Sequence, residues 1–399
     1  MDTSSPHSTD PVDFPVEINT SKVLFGTGIA GLIASGVGYF LNPEQFFFSY
    51  LTSFTFFASF ALAALIMVMF HHITRSSWGT VLRRIPETFA SNLWIWGIFF
   101  IPVILGISTL YGWANPEYVA GDPIMEGKVP YLNRPFFIFR QVLYFTIWGW
   151  LGYRLHKIST EMDRTRDWGL TTLLRKISAP GILIFALTIA FASFDWLMSL
   201  DAHWFSTMFG VYFFAMSFQA FFPMLILLIF WLQKRDILAN TITKSHIYDL
   251  GAWTFAFTVF YAYIAFSQFL LIYYANISEE VLWFYHRMEG SWIILFWSLL
   301  IGRFILPFIL LLNRDTKHSR TLLKITSVLI VVMHIIEIHW IVMPTIHHHG
   351  IQVSWLDITT LIGLGGIFFG LFFQRFRKYK MIPVNDPKLA ESLDKHYHQ

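Results

Sequence analysis

Ten stretches of about twenty apolar residues follow one another along this chain, and that run constrains its fold more than any other feature. A helix needs roughly 20 mostly apolar residues to cross the hydrocarbon core of a bilayer. The stretches are 22–41, 46–70, 92–111, 135–155, 178–199, 205–232, 247–274, 290–312, 321–343 and 354–373. Inside lipid every backbone N–H and C=O must find its partner within the protein, so each such stretch is expected as a helix. The expectation is an all-α integral membrane protein with ten transmembrane helices. Spans 2–5 (46–199) and 6–9 (205–343) are read as two four-helix bundles, and spans 1 and 10 as flanking helices. A polar tail (1–21) precedes this membrane domain (22–373) and a basic tail (374–399) follows it.

Composition agrees. Of 399 residues only 13% are charged, about half the share a soluble surface needs. The 43 Phe, 16 Trp and 16 Tyr suit lipid contact and membrane interfaces. There is no cysteine, which excludes disulfides, thiolate-held iron–sulfur clusters, c-type haem attachment and thiol catalysis. A net charge of +3 is too small to suggest nucleic acid. Residues 1–21 carry no Lys or Arg, so a cleavable signal with its basic start is not expected.

Basic residues sort the loops by side. The loops on the side of both termini carry 22 Lys and Arg, and those opposite carry three, Lys128, Arg134 and Arg287. The positive-inside rule then puts both termini in the cytoplasm. A repeat is suggested as well. Spans 4 and 8 each hold a buried arginine, Arg140 and Arg303, and spans 5 and 9 each hold a late acid, Asp195 and Glu337. In the flanking spans, Thr27, Gly31 and Ser35 recur every four residues, as do Gly366 and Gly370. Small residues on one face permit close helix packing.

Ionisable groups at bilayer depth are costly and mark candidate sites. Here they are Arg140, Asp195, Arg303, His334, Glu337 and His339, with Gln219 and Gln268 as weaker members. His334 and Glu337 are three apart and share a helix face, whereas His339 points elsewhere. A buried Glu beside a titratable His suits a proton relay; structural pairing of Glu337 with Arg303 or Arg140 is the alternative. The outer loop from Phe194 to Trp204 adds Asp201 and His203, and Asp195 and Asp201 are candidate steps on one path to the surface. His347, His348 and His349 read as a docking surface for a peripheral protein. His71 and His72 lie at the opposite depth from His334 and His339, which argues against a transmembrane b-haem. A bound metal is not expected.

Three segments carry a resemblance. They are Phe194–Tyr212 (FDWLMSLDAHWFSTMFGVY), Tyr273–Glu280 leading to Trp283 and His286-Arg287, and His71-His72 with Trp78-Gly79 and Arg83–Glu87 (RRIPE). With ten spans, they resemble the membrane subunits of bacterial alternative complex III, a quinol:cytochrome c (or other acceptor) oxidoreductase. Those subunits belong to the NrfD-like, polysulfide-reductase membrane-subunit family. The resemblance covers about residues 20–375, and the size is similar to that of the smaller of the complex's two large membrane subunits. It implies a chain in the bacterial inner membrane that supports menaquinol oxidation and proton translocation. It also implies no covalently bound cofactor here, with iron–sulfur clusters and haems confined to partners: an iron–sulfur protein, a multihaem cytochrome c and the homologous larger membrane subunit. A non-catalytic scaffold for outer redox subunits and an independent secondary transporter remain as alternatives.

Overall fold

The structure is a computed structural model describing residues 10–15, 19–348 and 350–394. Its regular elements are all helical among the described residues. Among the described residues nine helices are long and apolar enough to cross a membrane, which makes this a multi-pass membrane protein. They are α1 (Thr20–Leu41), α2 (Pro43–Thr74), α3 (Arg84–Leu105), α5 (Leu170–Leu200), α6 (Phe209–Gln233), α7 (Lys244–Ala275), α8 (Trp292–Leu312), α9 (Arg320–Thr345) and α10 (Trp355–Phe376). A further helix, α4 (Arg134–Thr165), is 32 residues long but less apolar.

Helix α2 is the hub. It packs on α3, α5, α6, α9 and α10, and every residue from Phe47 to Met69 is buried. A helix apolar on all sides must be enclosed on all sides. Helix α4 packs on α3 and α5, while α6 packs on α7 and α9, and α8 lies along α7 and α9. The outward sides of α1, α7 and α8 expose Ile33, Phe40, Phe266, Leu271, Ile294 and Ile309, side chains that favour lipid over water.

Helices α1 and α10 touch backbone to backbone. A Cβ on Gly31 would lie 2.6 Å from the Gly363 nitrogen, and one on Gly366 would lie 2.5 Å from the Gly28 Cα. Only glycine permits that approach. The small-residue face is therefore Gly28, Gly31, Ser35 and Gly38, whereas Thr27 is exposed.

Three span boundaries differ from the sequence reading by eight residues or more, one of them the start of α5 at Leu170 rather than 178. Helix α3 begins at Arg84 rather than near 92 and is broken into short turns beyond Ala90. Its charged start is tolerated because Arg84 pairs with Glu87 and Asp163, and Arg83 with Glu87 and Asp386. Helix α4 runs ten residues past its expected end at 155.

The two tails meet at one face of the molecule. The Met381 N–H donates to the Val12 carbonyl at 2.8 Å. Asp10 accepts from the backbone N–H of Asn240 and Thr241, Arg83 donates to Asp386 at 2.5 Å, and His246 Nε2 meets the Ser392 carbonyl at 3.1 Å. The C-terminal segment thus touches both the loop before α3 and the start of α7. This side is the tail face below, and the side of Asp122, His203 and Arg287 is the far face.

Candidate functional site

Five of the six intramembrane candidates resolve into two arginine–acid knots with different surroundings. In the first, Arg140 of α4 donates from Nε to Asp195 Oδ2 at 2.9 Å and from Nη2 to Oδ1 at 2.7 Å. Gln141 Nε2 and the Tyr144 hydroxyl also donate to Oδ2, at 3.1 and 3.2 Å. Gln141 spends its oxygen on Trp196 Nε1 at 2.7 Å, which fixes its amide orientation. The Arg140 guanidinium lies 3.9 Å from the Tyr131 ring centroid. Asp195 is fully buried and both of its oxygens are occupied. A fork-to-fork pair with satisfied lone pairs is the geometry in which a buried charge survives.

The second knot is built on Arg303. The α8 backbone is a π-helical turn from Leu300 to Ile305, and Pro307 follows. Proline has no N–H, so the Arg303 carbonyl four residues earlier loses its helical donor. Gln219 of α6 replaces it: its Nε2 donates to that carbonyl at 3.0 Å, while its Oε1 accepts from Arg303 Nε at 2.9 Å. Arg303 Nη2 donates to the Met216 carbonyl at 2.6 Å, and Nη1 pairs with Glu337 Oε2. Glu337 Oε1 accepts from the hydroxyls of Tyr212 (α6) and Tyr261 (α7), the latter at 2.6 Å.

His334 continues this network. Arg303 Nη1 lies 3.0 Å from His334 Nδ1. Arginine only donates, so Nδ1 presents its lone pair and the proton sits on Nε2. Nε2 meets Ser59 Oγ at 2.8 Å, and Ser59 donates its own hydrogen to the Phe56 carbonyl at 2.7 Å. Hydrogen bonds and the one Arg303–Glu337 ion pair therefore link Tyr212/Tyr261–Glu337–Arg303–His334–Ser59, joining α6, α7, α8, α9 and α2.

What separates the two knots is access. Glu337, Tyr212 and Tyr261 form the polar end of a cavity of about 410 Å³ whose remaining wall is apolar and aromatic, including Phe266, Trp283, Phe296 and Trp340. Gln268 also lines it. Phe266 of α7 and Trp297 and Leu300 of α8 line it and are exposed, so it opens on the lipid-favouring sides of these two helices.

The remaining candidates lie apart. His339 Nε2 has no hydrogen-bond partner, and its ring stands 6.0 Å from Trp292. His203 Nε2 meets Asp122 Oδ2 at 2.6 Å at the far face. The hydrogen bond from His203, with those from the Met125 and Ile124 N–H groups, holds the Asp122 carboxyl below its usual range. Lys128 donates to the carbonyls of Ala202 and His203, so a base from another loop anchors a segment that has none of its own. Asp201 is half-buried in that loop, and no hydrogen bond links it to Asp195. Helix α5 proper ends at Trp196, which turns the two carboxylates away from one helical path. His347 Nε2 meets Gln45 Oε1 at 2.8 Å, and His348 is exposed. His349 lies outside the described residues.

Tyr212, Tyr261 and Ser59 were not among the residues singled out from sequence. The signal was present in spacing: Tyr212 and Gln219 are seven apart on α6, and Tyr261 and Gln268 are seven apart on α7, so each pair shares one helix face. Among the described residues no group of three or more His, Asp or Glu side chains is arranged to hold a metal ion. No protein-family model matches the chain, and no curated protein matches it.

Proposed function

We propose that this chain is a membrane subunit of a respiratory complex that oxidises menaquinol and passes its electrons to a cytochrome c or similar acceptor, with the cluster around Glu337 handling the quinol protons. The observation that carries the reading is that Glu337 is at once a member of a buried proton-capable network and the wall of a cavity open to lipid. Quinols travel in the bilayer interior. A headgroup entering between α7 and α8 meets aromatic surface on its faces and hydroxyl or carboxylate oxygens at its end, the usual recipe for an apolar ligand with a few fixed polar contacts. Arg303 orients the Glu337 carboxylate. Quinol hydroxyls then have acceptors in Glu337 and in the oxygens of Tyr212 and Tyr261, and His334 and Ser59 extend the network away from the cavity.

Several finer assignments belong to this reading. Helix α4 is the tenth span, and α2–α5 and α6–α9 form two four-helix bundles. Each bundle carries its arginine on its third helix and its acid on its fourth, and the first of these knots has become structural. The chain sits in a bacterial inner membrane with its tail face in the cytoplasm. Electrons leave through an iron–sulfur protein and a multihaem cytochrome c at the far face, beside a homologous larger membrane subunit. The resemblance of Phe194–Tyr212 and of the Tyr273–Glu280 and His71–Glu87 segments supports these partners.

The test uses the intact complex and the purified chain. The complex should co-purify with haem and iron–sulfur proteins. A menaquinone analogue should quench the fluorescence of Trp283 and Trp340, and filling the cavity with Ala265→Phe should abolish that quenching. Glu337→Gln should cut quinol turnover or proton release while assembly persists. Unchanged quenching in the filled variant together with unchanged turnover in Glu337→Gln would leave only a scaffold for the outer subunits.

A further inference from the structure

A second feature of the molecule lies at the tail face and has no part in the quinol reading. At the start of α9, Arg320, Thr321, Lys324, Ile325 and Val328 line one side of a groove of about 570 Å³, and Phe230 near the end of α6 lines the other. Arg320 is held in place from within the protein: its Nη2 donates to Gln233 Oε1 at 2.8 Å, and its guanidinium lies 4.9 Å from the Phe230 ring centroid. Lys324 follows one turn later on the same face. No acid lines this groove, and among the described residues neither cation takes part in a salt bridge.

Lys324, Val328 and Val331 form one stripe on α9 (four, then three residues apart), and Phe230 and Leu227 form the matching stripe on α6. Leu227 and Val331 belong to a second groove of about 360 Å³, lined further by Leu24, Phe57, Leu228 and Phe373, with Trp231 at its rim. A cationic, acid-free groove thus lies one helical turn, along both α6 and α9, from an apolar one. The other basic groove at this face differs in kind. It mixes Lys157, Arg164, Lys378 and Lys380 with Asp13, Glu161 and Asp163, and Lys380–Asp13 and Arg164–Glu161 are already paired.

We propose that the α6–α9 seam is a binding site for an anionic phospholipid, with its phosphate on Arg320, Lys324 and the Thr321 hydroxyl and one acyl chain in the groove beside Leu228 and Phe373. Charge selects the headgroup, because two unpaired cations without an opposing acid favour an anion over a zwitterion. Shape selects a lipid over a free anion, because the apolar groove gains only from a hydrocarbon tail. The pre-positioned guanidinium lowers the ordering cost of binding.

Native mass spectrometry of the delipidated full chain, titrated with phosphatidylglycerol, phosphatidylcholine or inorganic phosphate, tests this. Phosphatidylglycerol should bind in preference to phosphatidylcholine, and inorganic phosphate should not displace it. Arg320→Gln and Lys324→Gln should each weaken phosphatidylglycerol about fivefold, and the pair about twenty-five-fold, from about 1 kcal/mol per basic residue. Leu228→Trp, which blocks the apolar groove, should weaken both lipids alike. Lys157→Gln with Lys378→Gln, in the other basic groove, should leave binding intact, and unchanged unfolding midpoints would exclude misfolding as the cause. Equal affinity for the two lipids, displacement by inorganic phosphate, or undiminished phosphatidylglycerol binding by the Arg320/Lys324 double variant would each overturn the proposal.

Discussion

Neutralising Asp195 should destabilise the protein without touching the chemistry of the second knot. In Asp195→Asn the amide oxygen replaces Oδ2, which accepts from Arg140 Nε, Gln141 and Tyr144. The amide nitrogen then replaces Oδ1 and faces Arg140 Nη2, which stands 2.7 Å away. Two donors oppose each other and a buried guanidinium loses its counter-charge. Breaking a buried pair from one side costs about 3–5 kcal/mol, two to three and a half powers of ten in the unfolding equilibrium. Replacing both partners with apolar groups, Arg140→Met with Asp195→Leu, should recover about 1–3 kcal/mol of that loss, because no charge remains stranded. The residue would be about 1 kcal/mol for each of the Gln141 and Tyr144 donors left unmatched. Equilibrium unfolding in mixed micelles with rising dodecyl sulfate, followed by tryptophan fluorescence, reads both quantities. A double-mutant cycle should give a coupling above about 2 kcal/mol; effects that add within about 0.5 kcal/mol would show that the two side chains do not depend on each other and would refute the reasoning.

Other perturbations have equally definite outcomes. Gln219→Leu strips both the Arg303 carbonyl and its Nε of their partner and should cost about 3 kcal/mol; adding Pro307→Ala returns a backbone N–H to that carbonyl and should recover about a third, and no recovery would break the link to proline. Gly31→Val drives a side chain into the α10 backbone and should lower the unfolding free energy by about 1–3 kcal/mol, while Gly26→Ala, which faces open space, should not. At the far face, the depressed Asp122 carboxyl holds its contact with His203 above the unfolded value of about 3.9 and loses it as pH falls through the lower folded value. Hydrogen exchange of residues 116–128, corrected for intrinsic rates, should therefore stay slow down to about pH 4 and rise below it; protection persisting at pH 2 would contradict this.

Much of the scaffold was legible because lipid imposes a per-residue rule. Hydropathy alone marks α1, α2, α6 and α10 within a few residues, and the small residues of α1 and α10 marked faces for close packing, though not that the two helices would meet each other. The rule fails where charges cancel locally. Arg83 and Arg84 read as loop because their neutralising acids lie at positions 87, 163 and 386, too scattered to be seen along the chain. Pairing was half legible: Asp195 and Glu337 were visible as buried acids, but which arginine each would meet depends on helix rotation and side-chain reach. The cavity beside Glu337 was not legible at all, since it arises where α7 and α8 diverge, and hydropathy carries no information on the space between helices. The phenolic partners Tyr212 and Tyr261 hid among 75 aromatic residues, distinguishable only by their seven-residue spacing from Gln219 and Gln268.

The crossing of the two tails has a consequence for how the molecule is made. Residues 381–392 are synthesised after every span, yet they supply Asp386 to Arg83 and the Ser392 carbonyl to His246. Until translation reaches them, the arginine ahead of α3 has only Glu87 for company, and the loops before α3 and α7 have no shared tether. This tether is therefore fastened late, as a belt is buckled after the garment is on, and a ribosome stalled before position 381 would leave a membrane-inserted protein without it.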